Sequence, residues 1–443
     1  MGLFRLILLF DKSSFPRVVA QGNSDMSYVI IGAGPAGVTA AETLRKQSPD
    51  AKIMLVCDHP GLPYSRMAIP YLLTEKVDEQ GITLRPDESH FDQLNITLLH
   101  DSAAALDLGS KTVLLNRGEP IHYQKLLIAS GAKPRQLPTP GNSLPQVQNC
   151  WTLEDARLLI AHLKGGSQVV LIGAGFIGTI VLEALIENGA KVTVIEQGER
   201  IVPRMVGPEP SALIRNWCEH KGVVFHTSSV VEEITEVEEG GSLLVHLREG
   251  EVIPAERVVV AAGVEPNCSF VEGSAIQMEG GIVVDSHLRS SDPDVYAAGD
   301  VAVALDSFSQ QLVSHAIQPL AVEQGRIAAL NMSGKKVEYS SHFAMNILDT
   351  FGLITASFGA WEGVEGGDSV EIMDSTHHRY LCYQFDRDRL VGATTVGRSH
   401  DLGIIKGLIQ SKASLGRLKE KLKEQPDRLK EIYLEWSKPG FRI

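Results

Sequence analysis

The segment Tyr28-Val29-Ile30-Ile31-Gly32-Ala33-Gly34-Pro35-Ala36-Gly37 limits most strongly what this chain can fold into. A short β-branched run breaks into three closely spaced glycines, and an alanine-rich helical pattern follows over Val38 to Lys46. The order reads as strand, tight turn, helix. Gly32 permits the turn, Gly34 lets backbone approach a diphosphate, and Gly37 lets the helix pack close to the strand. The helix N-terminus, with its free N–H groups and positive dipole end, then faces an anion. The next strand, Ala51 to Cys57, ends at Asp58, where such a unit places the acid that accepts hydrogen bonds from a ribose.

The pattern recurs. Gln168 to Ile172 leads into Gly173-Ala174-Gly175-Phe176-Ile177-Gly178, a helix runs through Leu185 to a stop at Gly189, and a strand over Lys191 to Ile195 ends at Glu196. Two complete units of this kind specify two dinucleotide sites. Glu196 is suited to the 2′-hydroxyl of NADH and repels the 2′-phosphate of NADPH, so NADH is favoured. Arg200 and Arg204 follow closely and leave phosphate binding open.

At 443 residues the chain is too long for one core, and its length suggests two to four domains. A formal net charge of −13 argues against nucleic acid or an anionic membrane as the main partner, because both demand a basic face. The exception is local: from Lys412 to Arg442 nine basic residues face five acidic ones. The five cysteines, Cys57, Cys150, Cys218, Cys268 and Cys382, lack the paired spacing of redox disulfide, zinc or iron–sulfur sites, and read as buried thiols in a reducing cytoplasm. No apolar run approaches the roughly 20 residues a membrane span needs. Residues 1–25 read as a disordered leader ahead of Met26, with an upstream start favoured over a targeting role.

Between and beyond the two units lie further candidates. Arg66, in the turn-rich Pro63-Tyr64-Ser65-Arg66 stretch, is either a solvated residue of a connector or a clamp on a cofactor. Ala129-Ser130-Gly131-Ala132 ends a buried strand in small residues, as a ligand or a second backbone would require. A Pro-rich linker over Pro134 to Pro145 follows, with a domain boundary near residue 145. Val258 to Asn267, containing Gly263, closes the second unit with similar small residues. Ala297-Ala298-Gly299-Asp300 sets a carboxylate beside uncovered backbone; taken alone, Asp300 reads as an ordinary turn aspartate. A helix beginning near Pro319 runs to Leu330. From about residue 337 strands and then helices suggest a separate α+β domain. Its stripes Leu415, Leu418, Leu422 and Leu429, Ile432, Tyr433, Trp436 are expected to pack on their own domain or a twin subunit rather than a membrane.

Together these segments resemble the pyridine nucleotide-disulfide oxidoreductase superfamily, and within it the FAD-dependent reductases without a redox disulfide, such as NADH:rubredoxin and ferredoxin reductases and the flavin module of NADH-dependent nitrite reductase. The resemblance covers residues 26 to about 410. It implies an α/β chain with two Rossmann-like dinucleotide-binding domains in the glutathione-reductase-like FAD/NAD(P) arrangement, followed by a C-terminal α+β interface domain. It implies FAD in the first fold, with Asp58 on the adenosine ribose, Arg66 and Arg135 near the cofactor, and Asp300 on the ribityl chain. Leu320 and Ala321 would aim backbone N–H groups at the flavin ring, and NADH would sit in the second fold. The resemblance also has departures. The region Arg66 to Tyr71 holds no cysteine, which makes disulfide chemistry improbable. Tyr71 stands where many relatives have lysine, and Ile180 where many have glutamate.

The expected division is an FAD-binding domain over 26–145 and 265–335, an NAD-binding domain over 146–264 and an interface domain over 336–443. The expected function is transfer of electrons from NADH through FAD to a ferredoxin- or rubredoxin-like carrier or a partner redox subunit, in a cytoplasmic protein that forms a homodimer in one reading. The alternatives are an NADH oxidase using dioxygen and a flavin-bound sensor protein. Lys419, Lys421 and Lys423 form a candidate docking face for an acidic carrier.

Overall fold

The computed structural model describes residues 26–237, 241–306, 311–339 and 344–437; the leader 1–25 and the extreme C-terminus lie outside them. Two five-stranded parallel sheets organise the fold. The first runs in the order Val295–Ala297, Lys125–Ile128, Ser27–Ile31, Lys52–Cys57, Ile96–His100. The second runs Val224–Thr227, Lys191–Glu196, Gln168–Ile172, Arg257–Val260, Val147–Asn149. Their central strands are continuous apolar runs because parallel strands are covered on both faces: Val29, Ile30, Val170 and Leu171 are all fully buried. The edge strand Val295–Ala297 joins the first sheet only after the chain has built the whole second one.

The helices that follow the glycine turns are Pro35–Gln47 and Phe176–Glu187. The first begins ahead of the expected Val38, since proline at its start has a preset φ and no N–H to leave unpaired. Two short strands, Ala132–Pro134 and Val264–Pro266, pair antiparallel where the chain leaves the first fold and returns to it.

The C-terminal region is an antiparallel sheet in the order Met345–Thr350, Leu353–Gly359, Arg389–Val396, Arg379–Asp386, Asp368–Asp374. Leu348, Leu353, Tyr380, Cys382 and Val396 on one face share a core with the second fold. Phe358, Tyr383 and Phe385 on the other pack under helices Leu402–Ser411, Leu418–Glu424 and Leu429–Trp436. The leucine stripes therefore pack within their own domain, with Leu418 and Leu422 fully buried. The basic face expected there is engaged internally: Lys419 and Lys423 both reach Asp368, at 2.8 and 2.7 Å, and Lys421 reaches Glu435 at 2.8 Å. The two edge strands of this sheet were not evident in the sequence, because Asp349, Asp368, Glu371 and Asp374 interrupt their apolar alternation.

Candidate functional site

At the C-terminal ends of the first sheet's strands lies a cleft with a cavity of about 420 Å³. The first glycine turn forms its floor. Gly32 has φ +105°, and a Cβ there would lie 2.2 Å from the Ala129 carbonyl oxygen, so only glycine lets these two strand ends meet. At Gly37 a Cβ would lie 1.9 Å from the Gly32 carbonyl oxygen, which holds the helix against the turn. At Gly34, by contrast, a Cβ would meet no atom within 4 Å, because that position faces the open cleft. The helix begins there with Gly34 as N-cap and no side-chain cap, so the first-turn N–H groups have no side-chain acceptor.

Most of the residues expected at the first site meet in this cleft. Gly32, Gly34, Pro35 and Ala36 line it, joined by Asp58, Arg66, Ala129, Ser130, Gly131, Gly299, Asp300 and Ala321. Asp300 is half-buried; burial pushes its carboxyl above the ordinary range, and the Arg66 charge opposes that rise. Arg66 donates from Nη1 to the Ala132 carbonyl at 3.0 Å, and its guanidinium lies 5.3 Å from the centre of the Trp151 ring.

Others fall elsewhere. Arg135 is exposed and donates from Nε to the Val264 carbonyl at 3.1 Å, because the 132–134/264–266 ribbon turns it away; Gly263 lies beside it, outside the cleft. Leu320 does not line the cleft, and its N–H donates to the Ile317 carbonyl at 3.1 Å, closing the first turn of helix Gln318–Met332. Ala321 lines the cleft while its own N–H makes the helix's first bond, also to Ile317. Tyr71 is more than half exposed and lies away from the cavity.

The second glycine turn repeats the first. Gly173 has φ +102° with its Cβ position 2.5 Å from the Ala261 carbonyl oxygen; at Gly178 the Cβ would lie 2.2 Å from the Gly173 carbonyl oxygen, and Gly175 again faces open space. Glu196 accepts from the Ala174 N–H at 2.8 Å through one oxygen and from the Gly198 N–H at 2.7 Å through the other. Phe176 and Ile177, expected to serve the second nucleotide, border the first cleft together with Ile180 and Val181. The two folds thus open on one shared space.

Several cleft residues carried no sequence signal: His59, Asp101, Ser102, Asn116, Trp151, Asn267 and Gln318. The Asp101 carboxylate accepts from the N–H groups of Ser102 and Gly118, both at 2.7 Å. Cys150 also lines the cleft, but burial pushes its thiol up to about 12, so it stays protonated. No described cysteine is in a disulfide.

Residues 26–322 match the family described as pyridine nucleotide-disulphide oxidoreductase. The chain belongs to that family. Within the pyridine nucleotide-disulphide oxidoreductases it is 34% identical over 311 residues to a rubredoxin-NAD(+) reductase of Pseudomonas putida, covering 70% of this chain and 80% of the relative. It is 30% identical over 404 residues to the NADH-dependent phenylglyoxylate dehydrogenase subunit epsilon of Aromatoleum evansii, covering 90% of this chain and 95% of that one. Among solved structures, a ferredoxin reductase from Rhodopseudomonas palustris superposes with a TM-score of 0.84 at 27% identity, over 92% of this chain and 99% of the other. The expected fold class, two dinucleotide folds and a C-terminal domain of a family oxidoreductase, stands. Among the described residues no helix is long and apolar enough to cross a membrane.

Proposed function

We propose that this oxidoreductase holds FAD in the first fold and NADH in the second, and passes electrons to a small iron–sulfur carrier or a partner redox subunit. The observation that carries the reading is the shared cleft: Phe176, Ile177 and Ile180 of the second glycine helix line the same cavity as Gly32 to Ala36 of the first. A nicotinamide held by one fold then has access to a ring held by the other. The residues present fit FAD. Gly34 and Gly131 leave space where any side chain would intrude, and a helix N-terminus is open to a diphosphate.

In this reading Asp58 accepts from the adenosine ribose and Asp300 from the hydroxyl chain beside the ring. Arg66 supplies the cation over the same space, and the positive end of helix Gln318–Met332 stabilises negative charge on the ring. When bound, FAD supplies a two-electron acceptor that can release electrons singly. The chain's part is binding, orientation and charge, and no side chain is assigned as acid or base. Glu196, which braces its own turn, completes the nicotinamide-nucleotide site from the adenosine side. The division into 26–145 with 265–335, 146–264, and 336–443 follows from the same reading.

Two relatives favour different acceptors: a rubredoxin is named for the Pseudomonas putida reductase, whereas the Aromatoleum evansii relative, which spans nearly the whole chain, is itself a subunit of a larger dehydrogenase. The test is anaerobic addition of NADH to the purified yellow protein. Loss of the flavin's visible absorbance is expected, with reoxidation by an added iron–sulfur carrier faster than by air. A preparation that takes up no FAD, or whose FAD NADH leaves oxidised, overturns the reading, and rapid turnover in air alone transfers it to an NADH oxidase.

A further inference from the structure

Arg66 and Trp151 come from different folds and converge on one acceptor. Arg66 sits in the loop that leads from the first fold's second strand; Trp151 follows strand Val147–Asn149 at the edge of the second sheet. The carbonyl oxygen of Ala132 accepts from Arg66 Nη1 and from Trp151 Nε1, each at 3.0 Å. The guanidinium lies over the indole, 5.3 Å from its centre. A carbonyl has two lone pairs, and these two donors use both. Arg66 keeps its other N–H groups for the cleft it lines, and makes no ion pair among the described residues.

The backbone that carries the indole is itself held. The Asp155 carboxylate accepts from the Trp151 N–H at 2.9 Å and the Thr152 N–H at 2.8 Å, as part of the capping box of helix Leu153–His162. The N–H of Leu153 donates to the Tyr64 hydroxyl at 3.0 Å, and Ser65 Oγ donates to Gln318 Oε1 at 2.6 Å. The two residues just before Arg66 are thus tied, Tyr64 to the second fold and Ser65 to helix Gln318–Met332.

We propose that Trp151 is a positioning residue: its ring face holds the Arg66 guanidinium while its Nε1–H fixes the Ala132 carbonyl to which Arg66 also donates, so that the second fold sets the placement of the first fold's cation in the cofactor cleft. The proposal rests on the reading that the cleft binds FAD. A guanidinium is confined by a planar π surface on one side and a fixed carbonyl at its edge, which leaves its free donors one direction in which to find an anion.

The test compares Trp151→Phe with Trp151→Leu, both of which lose the N–H donor while only phenylalanine keeps a π face. Each is made in the wild-type and the Arg66→Ala background, stripped of FAD and reconstituted, and the dissociation constant is read from the quenching of flavin fluorescence. The expected result is that Trp151→Phe binds FAD within about threefold of wild type and Trp151→Leu about tenfold more weakly. In the Arg66→Ala background the two variants become equal, as a coupled pair requires. Equal affinities in the wild-type background, or the same difference with and without Arg66, overturn the role of Trp151. Failure of the wild-type protein to take up FAD overturns the underlying reading instead.

Discussion

A Cβ on Gly325 would stand 2.2 Å from the carbonyl oxygen of Ala36, so the helices Pro35–Gln47 and Gln318–Met332 meet backbone against backbone. This crossing brings the start of a helix from late in the chain to the mouth of a cleft built by its first strands. Gln324, 3% exposed, braces the same crossing: it accepts from the Gly299 N–H at 2.7 Å and donates to the Tyr339 hydroxyl at 3.1 Å. In a helix interior alanine is normally better than glycine by about 0.5–1 kcal/mol. A clash with rigid backbone reverses that sign, since overpacking costs about 1–3 kcal/mol. Gly325→Ala is therefore expected to lower the denaturant midpoint and to weaken FAD retention. An unchanged or raised midpoint would show that the two helices can slide apart.

The two glycines of the first turn are expected to fail in different ways. Gly34 faces open space, so Gly34→Ala should leave the apoprotein's unfolding midpoint within about 0.5 kcal/mol of wild type. The new methyl occupies ground a diphosphate needs, and FAD affinity should fall by roughly tenfold or more. Gly37 abuts the Gly32 carbonyl, so Gly37→Ala should destabilise the apoprotein itself. Circular dichroism melts and FAD titration of both variants separate the cases; equal stability losses would remove the distinction.

The glycine turns were legible in the sequence because their chemistry is local: Gly32 and Gly173 need positive φ, and the strand before and helix after each announce themselves by periodicity. Asp300 was visible only through a family resemblance, since nothing near it in sequence shows what it faces. Arg135 and Leu320 do not line the cleft: the ribbon leaves Arg135 exposed with its Nε on the Val264 carbonyl, and the Leu320 N–H bonds the Ile317 carbonyl within its own helix turn. Trp151 gave no signal, because a lone tryptophan in a connector acquires meaning only from Arg66 and Ala132, which the fold brings to it. Phe176 and Ile177, read from the sequence with the second unit, also border the cleft at the first, which only the way the two folds face each other could show.

Nucleotide preference is expected to depend on Glu196 in two ways at once. Both its oxygens already accept backbone N–H groups, so the residue braces the turn in addition to the ribose contact proposed for it. Glu196→Gln keeps the size but can accept through only one of the two atoms, and removes the charge that repels a 2′-phosphate. The kcat/KM for NADH should fall by about tenfold while that for NADPH holds or rises. A parallel fall for both nucleotides would mean that the turn itself, rather than the ribose contact, had been lost.

Asp368 sets the expected acid response of the C-terminal domain. The ammonium of Lys419, and then that of Lys423, hold its carboxyl below the ordinary aspartate range. A depressed folded-state pKa adds stability that is present above the unfolded pKa and fades as pH falls toward the folded value. Asp368→Asn should therefore be less stable than wild type at neutral pH, by a modest amount because the pair is partly exposed to solvent. The difference should shrink as the medium is taken below the ordinary carboxylate range, where the wild-type aspartate is protonated too. The same pairing predicts that Lys419→Glu with Lys423→Glu, which gathers three carboxylates, lowers the unfolding temperature of the domain before it alters any carrier's KM. Denaturant midpoints measured across the acid range check the first expectation, and a constant difference at every pH would show that Asp368 acts through its shape rather than its charge.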